Sequence, residues 1–260
     1  MPIITLTTDF GTRDGYVGAV KGVITRVLMD TMAGRQAWPH TQILDISHDV
    51  PPGDIAHAAW ILATSTVEFP ADSIHLVVVD PGVGSTRQGV IVDACGQRYV
   101  GPDNGVFALL GDTSAHVITK TALLAPKISS TFHGRDIFAY VAARFASGYS
   151  PNDFGKATRL AGIPPWGPRA EGVGRIIHID GFGNLISDLP GHEAGGSVMF
   201  EARRIPVLRT YEDVPSGELL AYVGSAGTIE IAIRDGRADS LGVERGAKLL
   251  PDPDATGPYR

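Results

Sequence analysis

The sequence predicts an α/β domain with a mostly parallel central sheet, followed by a smaller antiparallel β-barrel domain. Strand-like and helix-like segments alternate over the first part of the chain, as in α/β layer structures. Beyond about residue 155 only short β-patterned segments occur, without a long helical period. The 260 residues are 43% hydrophobic and 19% charged, which is enough apolar material for buried cores. We predict domains at 1–162 and 173–260, joined by a linker at 163–172.

The first domain is predicted from its hydrophobic spacing and from its capping residues. Segment 3–8 is apolar enough for a buried strand, and the next apolar residues recur at helical spacing: Val17, Val20, Ile24, Val27 and Leu28. Further strands are predicted at 42–46, 74–79, 89–93 and 115–119. Further helices are predicted at 55–63 with Asp54 as the cap, at 103–110 with Asp103 or Asn104 as the cap, and at 136–147 before Gly148.

The second domain follows a stiff, proline-rich connector that runs from Ile163 to Pro168. Short strands are predicted at 174–179, 184–188, 197–201, 219–223 and 228–233. Strands of this length, separated by turns, are typical of a small antiparallel barrel or sandwich.

Composition excludes several classes of function. The 28 acidic residues outnumber the 22 lysines and arginines, so the net charge of −6 offers no attraction to nucleic acid or an anionic membrane. The single Cys95 rules out an internal disulfide and a multi-cysteine zinc site, and it favours a cytoplasmic protein. We expect Cys95 to be buried and inert. Neither a signal peptide nor an apolar run of about 18 residues is present, so no membrane span is expected.

Two aspartates stand where predicted strands end. Asp9 follows the first strand and Asp80 follows the strand at 74–79, and each has a glycine within two residues. Open α/β sheets bind ligands beyond the carboxyl ends of their strands, so parallel strands would bring both carboxylates to one crevice. The alternative is that each aspartate only forms a turn or caps a helix.

Two glycine-punctuated turns carry further polar groups. Asp80-Pro81-Gly82-Val83-Gly84 is followed by Arg87, and His133 precedes Gly134 at the predicted start of a helix. An acid, an arginine and a histidine can together orient water and stabilise developing negative charge. The alternatives are a structural Asp80–Arg87 clamp and a histidine that is merely hydrogen-bonded. Arg135 and Asp136 are expected to be structural.

A third turn lies in the barrel domain, where Phe182 stands between two glycines before Asn184. A flat apolar ring on such a turn suits stacking on a purine, and an amide supplies the donor and the acceptor that the edge of adenine requires. The alternative is a β-turn whose Phe182 folds onto the barrel. The turns at 223–227 and 234–236 could expose further backbone groups.

Five segments in this order resemble the S-adenosylmethionine hydroxide adenosyltransferases, relatives of the fluorinating and chlorinating enzymes. The resemblance covers nearly the whole chain. The segments are Thr7-Thr8-Asp9-Phe10-Gly11, Val79-Asp80-Pro81-Gly82-Val83-Gly84 with Arg87, Gly101-Pro102-Asp103-Asn104-Gly105, Thr131-Phe132-His133-Gly134-Arg135-Asp136 and Asp180-Gly181-Phe182-Gly183-Asn184.

The resemblance implies hydrolysis of S-adenosylmethionine to adenosine and L-methionine by a homotrimer, with no metal or cofactor. Each site would combine the first domain of one subunit with the second domain of its neighbour. The implied roles are water activation by Asp80, Arg87 and His133; ribose binding by Asp9; adenine binding by Phe182, Asn184 and the backbone near Ile233 and Asp235; and methionine binding by Asp180 and Ser225.

The sequence departs from the family at two positions. Arg234 stands where family members commonly have asparagine, and Ala226 stands where halide-using relatives have arginine. The halide-using relatives are expected to have other residues at positions 80, 133 and 134. Because this chain has Asp80, His133 and Gly134 there, the resemblance disfavours a halide-using enzyme. Two further hypotheses stay open beside hydrolysis. One is a non-catalytic S-adenosylmethionine or adenosine sensor, and the second is a metal-dependent hydrolase with Asp9, Asp80 and His133 as ligands.

Overall fold

The computed structural model describes residues 2–163 and 166–255. The chain divides into two compact units, Met1–Pro165 and Trp166–Arg260. The predicted linker at 163–172 spans this division, and its Pro164 and Pro165 lie outside the described residues. The boundaries at 162 and 173 stay a prediction.

The first unit contains a mixed sheet with helices, which confirms the α/β class. Among the described residues the sheet has seven strands in the order β2-β1-β3-β5-β4-β6-β7. They are β1 (Ile3–Thr8), β2 (Gln42–Ser47), β3 (Ile74–Val78), β4 (Gly89–Ala94), β5 (Gln97–Pro102), β6 (Thr113–Val117) and β7 (Ala157–Thr158).

The sheet is parallel at one side and antiparallel at the other. Strands β2, β1, β3 and β5 run parallel, whereas β4, β6 and β7 pair antiparallel to their neighbours. A two-residue turn joins β4 to β5, and such a turn can connect only antiparallel strands. Both of its residues are left-handed, with φ of +50° at Cys95 and +75° at Gly96. Cys95 is exposed at this turn, so the expectation of a buried thiol was wrong.

Helices pack on both faces of the sheet. They are α1 (Tyr16–Met29), α2 (Met32–Ala37), α3 (Ile55–Ser65), α4 (Ala139–Ala146) and α5 (Pro151–Phe154). Successive residues of a strand point to opposite faces. Leu76 and Val78 accordingly join the core beneath α1 and α4, while Val77 joins the core that contains residues of α3. The predicted cap is present, since the Asp54 carboxylate accepts from the His57 backbone N–H at 3.0 Å.

The helix predicted at 103–110 is absent from this described segment, which forms consecutive turns. The Asp103 carboxylate accepts from the backbone N–H groups of Ala161 and Gly162, each at 2.9 Å. The Asn104 side chain donates to the Val79 carbonyl at 2.9 Å. Asp103 thus holds a distant segment, whereas Asn104 also accepts from the Val106 backbone N–H at 3.2 Å, a local bond that closes a turn here and is not followed by a helix.

The second unit is a closed barrel, as predicted. Its described strands follow the order β10-β11-β12-β13-β9-β8-β14. They are β8 (Gly174–Ile179), β9 (Leu185–Pro190), β10 (Ser197–Phe200), β11 (Arg203–Leu208), β12 (Leu219–Val223), β13 (Thr228–Ile233) and β14 (Lys248–Pro251), with the short α6 (Gly191–Ala194) after β9. The β11–β12 pair is parallel, and the remaining described pairs of the barrel are antiparallel.

Candidate active site

Asp80, Arg87 and His133 form one contiguous cluster in the first unit. The Arg87 guanidinium donates from Nε to Asp80 Oδ1 at 2.9 Å and from Nη2 to Asp80 Oδ2. The same Nη2 lies 2.8 Å from His133 Nδ1. The Asp80 and Arg87 side chains are only 4% and 10% exposed, so this ion pair is largely shielded from water. The structure therefore brings His133 next to the Asp80–Arg87 pair, although it lies 46 residues beyond Arg87 along the sequence.

The contact with Arg87 fixes the tautomer of His133. A guanidinium has no acceptor, so Arg87 donates and His133 Nδ1 accepts. The neutral ring must then carry its hydrogen on Nε2. Burial, and next the positive charge of Arg87, lower the pKa of His133, while the nearby carboxylates of Asp80 and Asp136 oppose that shift. The histidine is therefore held neutral, with an N–H available at Nε2.

Close packing places the histidine beside the sheet. His133 immediately precedes a π-helical turn, Gly134–Phe138, that leads into α4. A Cβ on Gly134 would lie 2.8 Å from Val78 Cγ1, so glycine is what lets this turn approach the end of β3. The Asp136 carboxylate accepts from the Ser129 backbone N–H and from Arg135, which agrees with the structural role expected for this pair.

Asp9 lies near this cluster. A cavity of about 60 Å³ is lined by Asp9, Asp80, His133 and neighbouring apolar side chains. One carboxylate oxygen of Asp9, Oδ2, accepts from the Gly53 backbone N–H at 2.8 Å. That bond orients the carboxylate and leaves the second oxygen available to a ligand. The carboxyl ends of β1 and β3, which pair in parallel, thus meet here as predicted.

The barrel unit has a separate and larger cavity of about 650 Å³. Four residues singled out in the sequence line it: Phe182, Asn184, Ile233 and Asp235. Phe182 is 79% exposed, so its ring does not fold onto the barrel core. Asp235 has a φ of +55°, which turns the backbone sharply at the edge of the cavity.

Asp180 builds the turn that carries Phe182. Its Oδ1 accepts from the backbone N–H groups of Phe182 and Asn184, each at 2.9 Å, and its Oδ2 accepts from the Asn184 side chain at 2.9 Å. The predicted binding residue Ser225 is exposed in the β12–β13 turn and does not line the 650 Å³ cavity. Neither Asp180 nor Ser225 lines this cavity, but Asp180 is bonded directly to Phe182 and Asn184, which do.

Sequence reasoning missed three residues that line this cavity: Tyr211, Glu212 and Arg237. Tyr211 and Glu212 belong to a loop without regular periodicity, so no pattern marks them. Arg237 reaches back across the fold and donates to the Gly181 carbonyl at 2.9 Å. Arg234, noted as a departure from the family, also lines the cavity and donates to the Val214 carbonyl at 2.8 Å.

Metal-ligand clusters and long apolar helices are both absent from the described residues. In residues 2–163 and 166–255, no group of three or more His, Cys, Asp or Glu side chains is arranged to hold a metal ion. No helix in these two ranges has the length and apolar character needed to cross a membrane.

Comparison with known proteins gives matches to both units. Residues 4–155 match the SAM hydroxide adenosyltransferase N-terminal domain, and residues 174–249 match the C-terminal domain. The chain is 39% identical to an (R)-S-adenosyl-L-methionine hydrolase of Salinispora tropica, with 95% of this chain and 97% of the relative covered. It is 36% identical to a protein of the same name from Thermus thermophilus, with 92% of this chain and 95% of that relative covered. A fluorinase of an Actinoplanes species is 24% identical, with 89% of this chain and 90% of the fluorinase covered.

A solved structure supports the same assignment. A crystal structure of an uncharacterized conserved protein from Thermotoga maritima superposes with a TM-score of 0.82 at 31% identity, covering 95% of this chain and 99% of that one. An α/β unit followed by a closed barrel thus defines the class of protein, and the relatives that match over most of this chain include proteins named (R)-S-adenosyl-L-methionine hydrolase. Within that class, the chain belongs to the SAM hydroxide adenosyltransferase family.

Proposed function

We propose that this protein hydrolyses S-adenosyl-L-methionine to adenosine and L-methionine. The relatives named (R)-S-adenosyl-L-methionine hydrolase are 36% to 39% identical to it over most of the chain. The observation that carries the proposal is the hydrogen-bonded Asp80–Arg87–His133 cluster next to Asp9. The smaller identity to fluorinases, 24% and 22%, favours water over halide as the nucleophile.

The proposed step is a direct displacement at the ribose C5′. A water oxygen forms a bond to C5′ while the C5′–S bond breaks, and the bonding electron pair stays on sulfur. The positively charged sulfonium becomes the neutral thioether of methionine, and the proton lost by the water passes to solvent. Because the thioether is a good leaving group, it needs no protonation, and the enzyme must mainly orient and desolvate the nucleophile.

The cluster suits this task through donation and charge. Both Asp80 oxygens already accept from Arg87, and His133 Nδ1 is occupied as well. Each Asp80 oxygen keeps a second lone pair that can accept a hydrogen bond from the water, and the His133 Nε2–H can donate to it. As the water gives up its proton, that N–H and the positive charge of Arg87 stabilise the hydroxide character of the oxygen that attacks C5′.

The remaining residue roles are part of the same proposal. Asp9 would hold the ribose hydroxyls with its second carboxylate oxygen. Phe182 and Asn184 would bind adenine in the barrel cavity, together with the backbone at 233 and 235. Asp180 and Ser225 would hold the methionine end, with Asp180 also maintaining the Phe182 turn. No metal or cofactor takes part in the proposed step.

The test uses S-adenosylmethionine in water enriched in oxygen-18, with mass spectrometry of the products. Attack at C5′ places the heavy oxygen in the 5′-hydroxyl of adenosine and leaves methionine unlabelled. Labelled homoserine with methylthioadenosine would instead show attack on the methionine chain and would contradict the proposal. Parallel reactions with chelator and with added chloride or fluoride should give the same rate and products, whereas stoichiometric binding without turnover would favour a sensor.

We also propose that the protein is a cytoplasmic homotrimer, with each site completed by the barrel of a neighbouring subunit. The resemblance supports this arrangement, and each unit holds only part of the candidate residues. Light scattering after size-exclusion chromatography should give three times the chain mass of 27.5 kDa. A monomeric peak with full activity would overturn the shared site.

A further inference from the structure

A chain of hydrogen bonds runs from the barrel cavity to a buried carboxyl group. The Tyr211 hydroxyl lies 2.7 Å from the Tyr222 hydroxyl, and Tyr222 donates to Glu230 Oε2 at 2.5 Å. Tyr211 lines the 650 Å³ cavity, whereas Tyr222 and Glu230 do not. The chain therefore connects a cavity-lining ring to groups behind it.

The direction of the hydrogen bonds follows from the available hydrogens. Each tyrosine hydroxyl has one hydrogen to donate. Since Tyr222 gives its hydrogen to Glu230, its oxygen accepts from Tyr211. The hydrogen of Tyr211 is thereby committed to Tyr222, and its ring is held in one orientation. The two rings are also in contact, with centroids 5.1 Å apart and planes inclined by 52°.

The sheet presents Glu230 to Tyr222 in register. The two residues are direct cross-strand partners on β13 and β12. Gly224 makes room for the carboxyl group, because a Cβ at that position would lie 1.9 Å from Glu230 Oε1. Glu230 is only 8% exposed, and burial raises its pKa, with Asp180 adding to the rise. Burying a carboxyl group is costly unless its oxygens are hydrogen-bonded, as Glu230 Oε2 is to Tyr222.

Tyr211 itself lies outside the barrel strands, on the connection between β11 and β12. It begins a short 3-10 turn between β11 and β12, and it is 37% exposed. The Asp213 carboxylate closes the backbone of this turn by accepting from the Thr210 N–H at 3.0 Å. That bond fixes the backbone and leaves the ring of Tyr211 to be fixed by Tyr222.

We propose that Tyr222 and Glu230 are positioning residues that hold Tyr211 in the orientation needed to bind the base of the substrate in the cavity that Phe182 also lines. This inference rests on the proposed function for the identity of the base. It predicts that breaking the chain weakens binding of adenosine and S-adenosylmethionine while the chemical step, which takes place at the Asp80–Arg87–His133 cluster, keeps its rate.

Variants that break the chain are Tyr222→Phe, which removes only a hydroxyl, and Glu230→Leu, which removes the acceptor. The KM for S-adenosylmethionine and the Kd for adenosine, the latter by calorimetry, should each rise about three- to tenfold, with kcat within about twofold. Glu230→Gln keeps an oxygen that can accept from Tyr222 and should restore both constants to near wild type. Adding Tyr211→Phe to Tyr222→Phe should cause little further loss, because both remove the same link.

The matched control is Tyr99→Phe in the first unit. Its buried hydroxyl is also hydrogen-bonded, to Thr66 at 2.8 Å and to Gln97 at 3.0 Å. Tyr99 lines neither of the two cavities described above. This variant should lower the melting temperature without changing KM or Kd. A purely structural role for Tyr222 would give the same pattern and would overturn the inference.

The two proposals fail in different ways. If the wild-type protein binds adenosine but releases none from S-adenosylmethionine, the proposed function fails, and the adenosine Kd still tests the positioning role. If the wild type is active and Tyr222→Phe is folded with unchanged KM and Kd, only the positioning role fails. A fall in kcat at constant KM would also contradict it.

Discussion

The replacement of Arg87 by lysine tests whether the geometry of the guanidinium, beyond its charge, drives the reaction. Arg87 makes two bonds to Asp80 and one to His133 with a planar fork. Lysine keeps the positive charge but is shorter, and its ammonium group cannot reproduce this fork. We expect the variant to keep an ion pair with Asp80 and to lose the bond to His133 Nδ1.

The size of the effect follows from that one lost bond. A hydrogen bond to a charged group contributes about 1.5–3 kcal/mol. At about 1.4 kcal/mol per factor of ten, its loss in the transition state lowers kcat by roughly 10- to 150-fold. His133 would also lose the contact that fixes its tautomer, so the Nε2–H would no longer be assured. The KM should change little, because Arg87 does not line the barrel cavity.

The assay is initial-rate release of adenosine, separated by chromatography, over a range of S-adenosylmethionine concentrations. The matched control is Arg135→Lys, the same chemical change two residues after His133, at an arginine that pairs with Asp136. The control should retain kcat within about threefold. If Arg87→Lys also keeps kcat within threefold, the assignment of Arg87 to water activation is refuted.

Three other predictions concern pH, packing and substrate binding. Burial and the neighbouring guanidinium lower the pKa of His133 below its ordinary 6.5, so the unfolded chain takes up this proton first as pH falls. The free energy of unfolding should therefore drop as the pH falls from 6.5 through the folded-state pKa of His133. The kcat should fall over the lower part of the same pH range. The His133→Gln variant should show a smaller drop in the free energy of unfolding over that range. Gly134→Ala forces a Cβ to within 2.8 Å of Val78 Cγ1 and should lower the free energy of unfolding, measured by urea titration, by about 1–3 kcal/mol. The control is Gly22→Ala, whose new Cβ would have nothing within 4 Å and should not destabilise the protein. Asp180→Asn keeps an oxygen for the two backbone N–H groups of the turn but removes the charge and the acceptor of the Asn184 side chain. The KM for S-adenosylmethionine should therefore rise more than the Kd for adenosine, and equal losses of both would show that the turn alone was affected.

Regular periodicity made most of the fold predictable from the sequence. The five apolar residues predicted at helical spacing all lie in α1, and β3 ends one residue before the predicted strand at 74–79. The strand β5 was missed because its hairpin turn uses Cys95 at positive φ, a conformation that cysteine rarely adopts. The helix predicted at 103–110 was wrong because Asp103 bonds to residues 161 and 162, a contact that local patterns do not contain.

The candidate site was predictable only in part, for a related reason. Asp9 and Asp80 follow predicted strands and His133 precedes a glycine at a predicted helix start, so local sequence patterns were enough to single out these three residues. The Tyr211–Tyr222–Glu230 chain depends on the register between β12 and β13 and on a loop without periodicity. Such features arise from tertiary pairing, so the spacing of the residues along the chain does not reveal them.

The exposed turn between β4 and β5 makes the protein convenient to label. Cys95 is the chain's single cysteine, so a maleimide dye would attach at one position without any engineered substitution. Strand β5 runs parallel to β3, and Cys95 precedes β5, whereas Asp80 follows β3. The dye would therefore sit at the edge of the sheet opposite the Asp80 cluster, where it can report on tumbling or tether single molecules to a surface while turnover proceeds undisturbed.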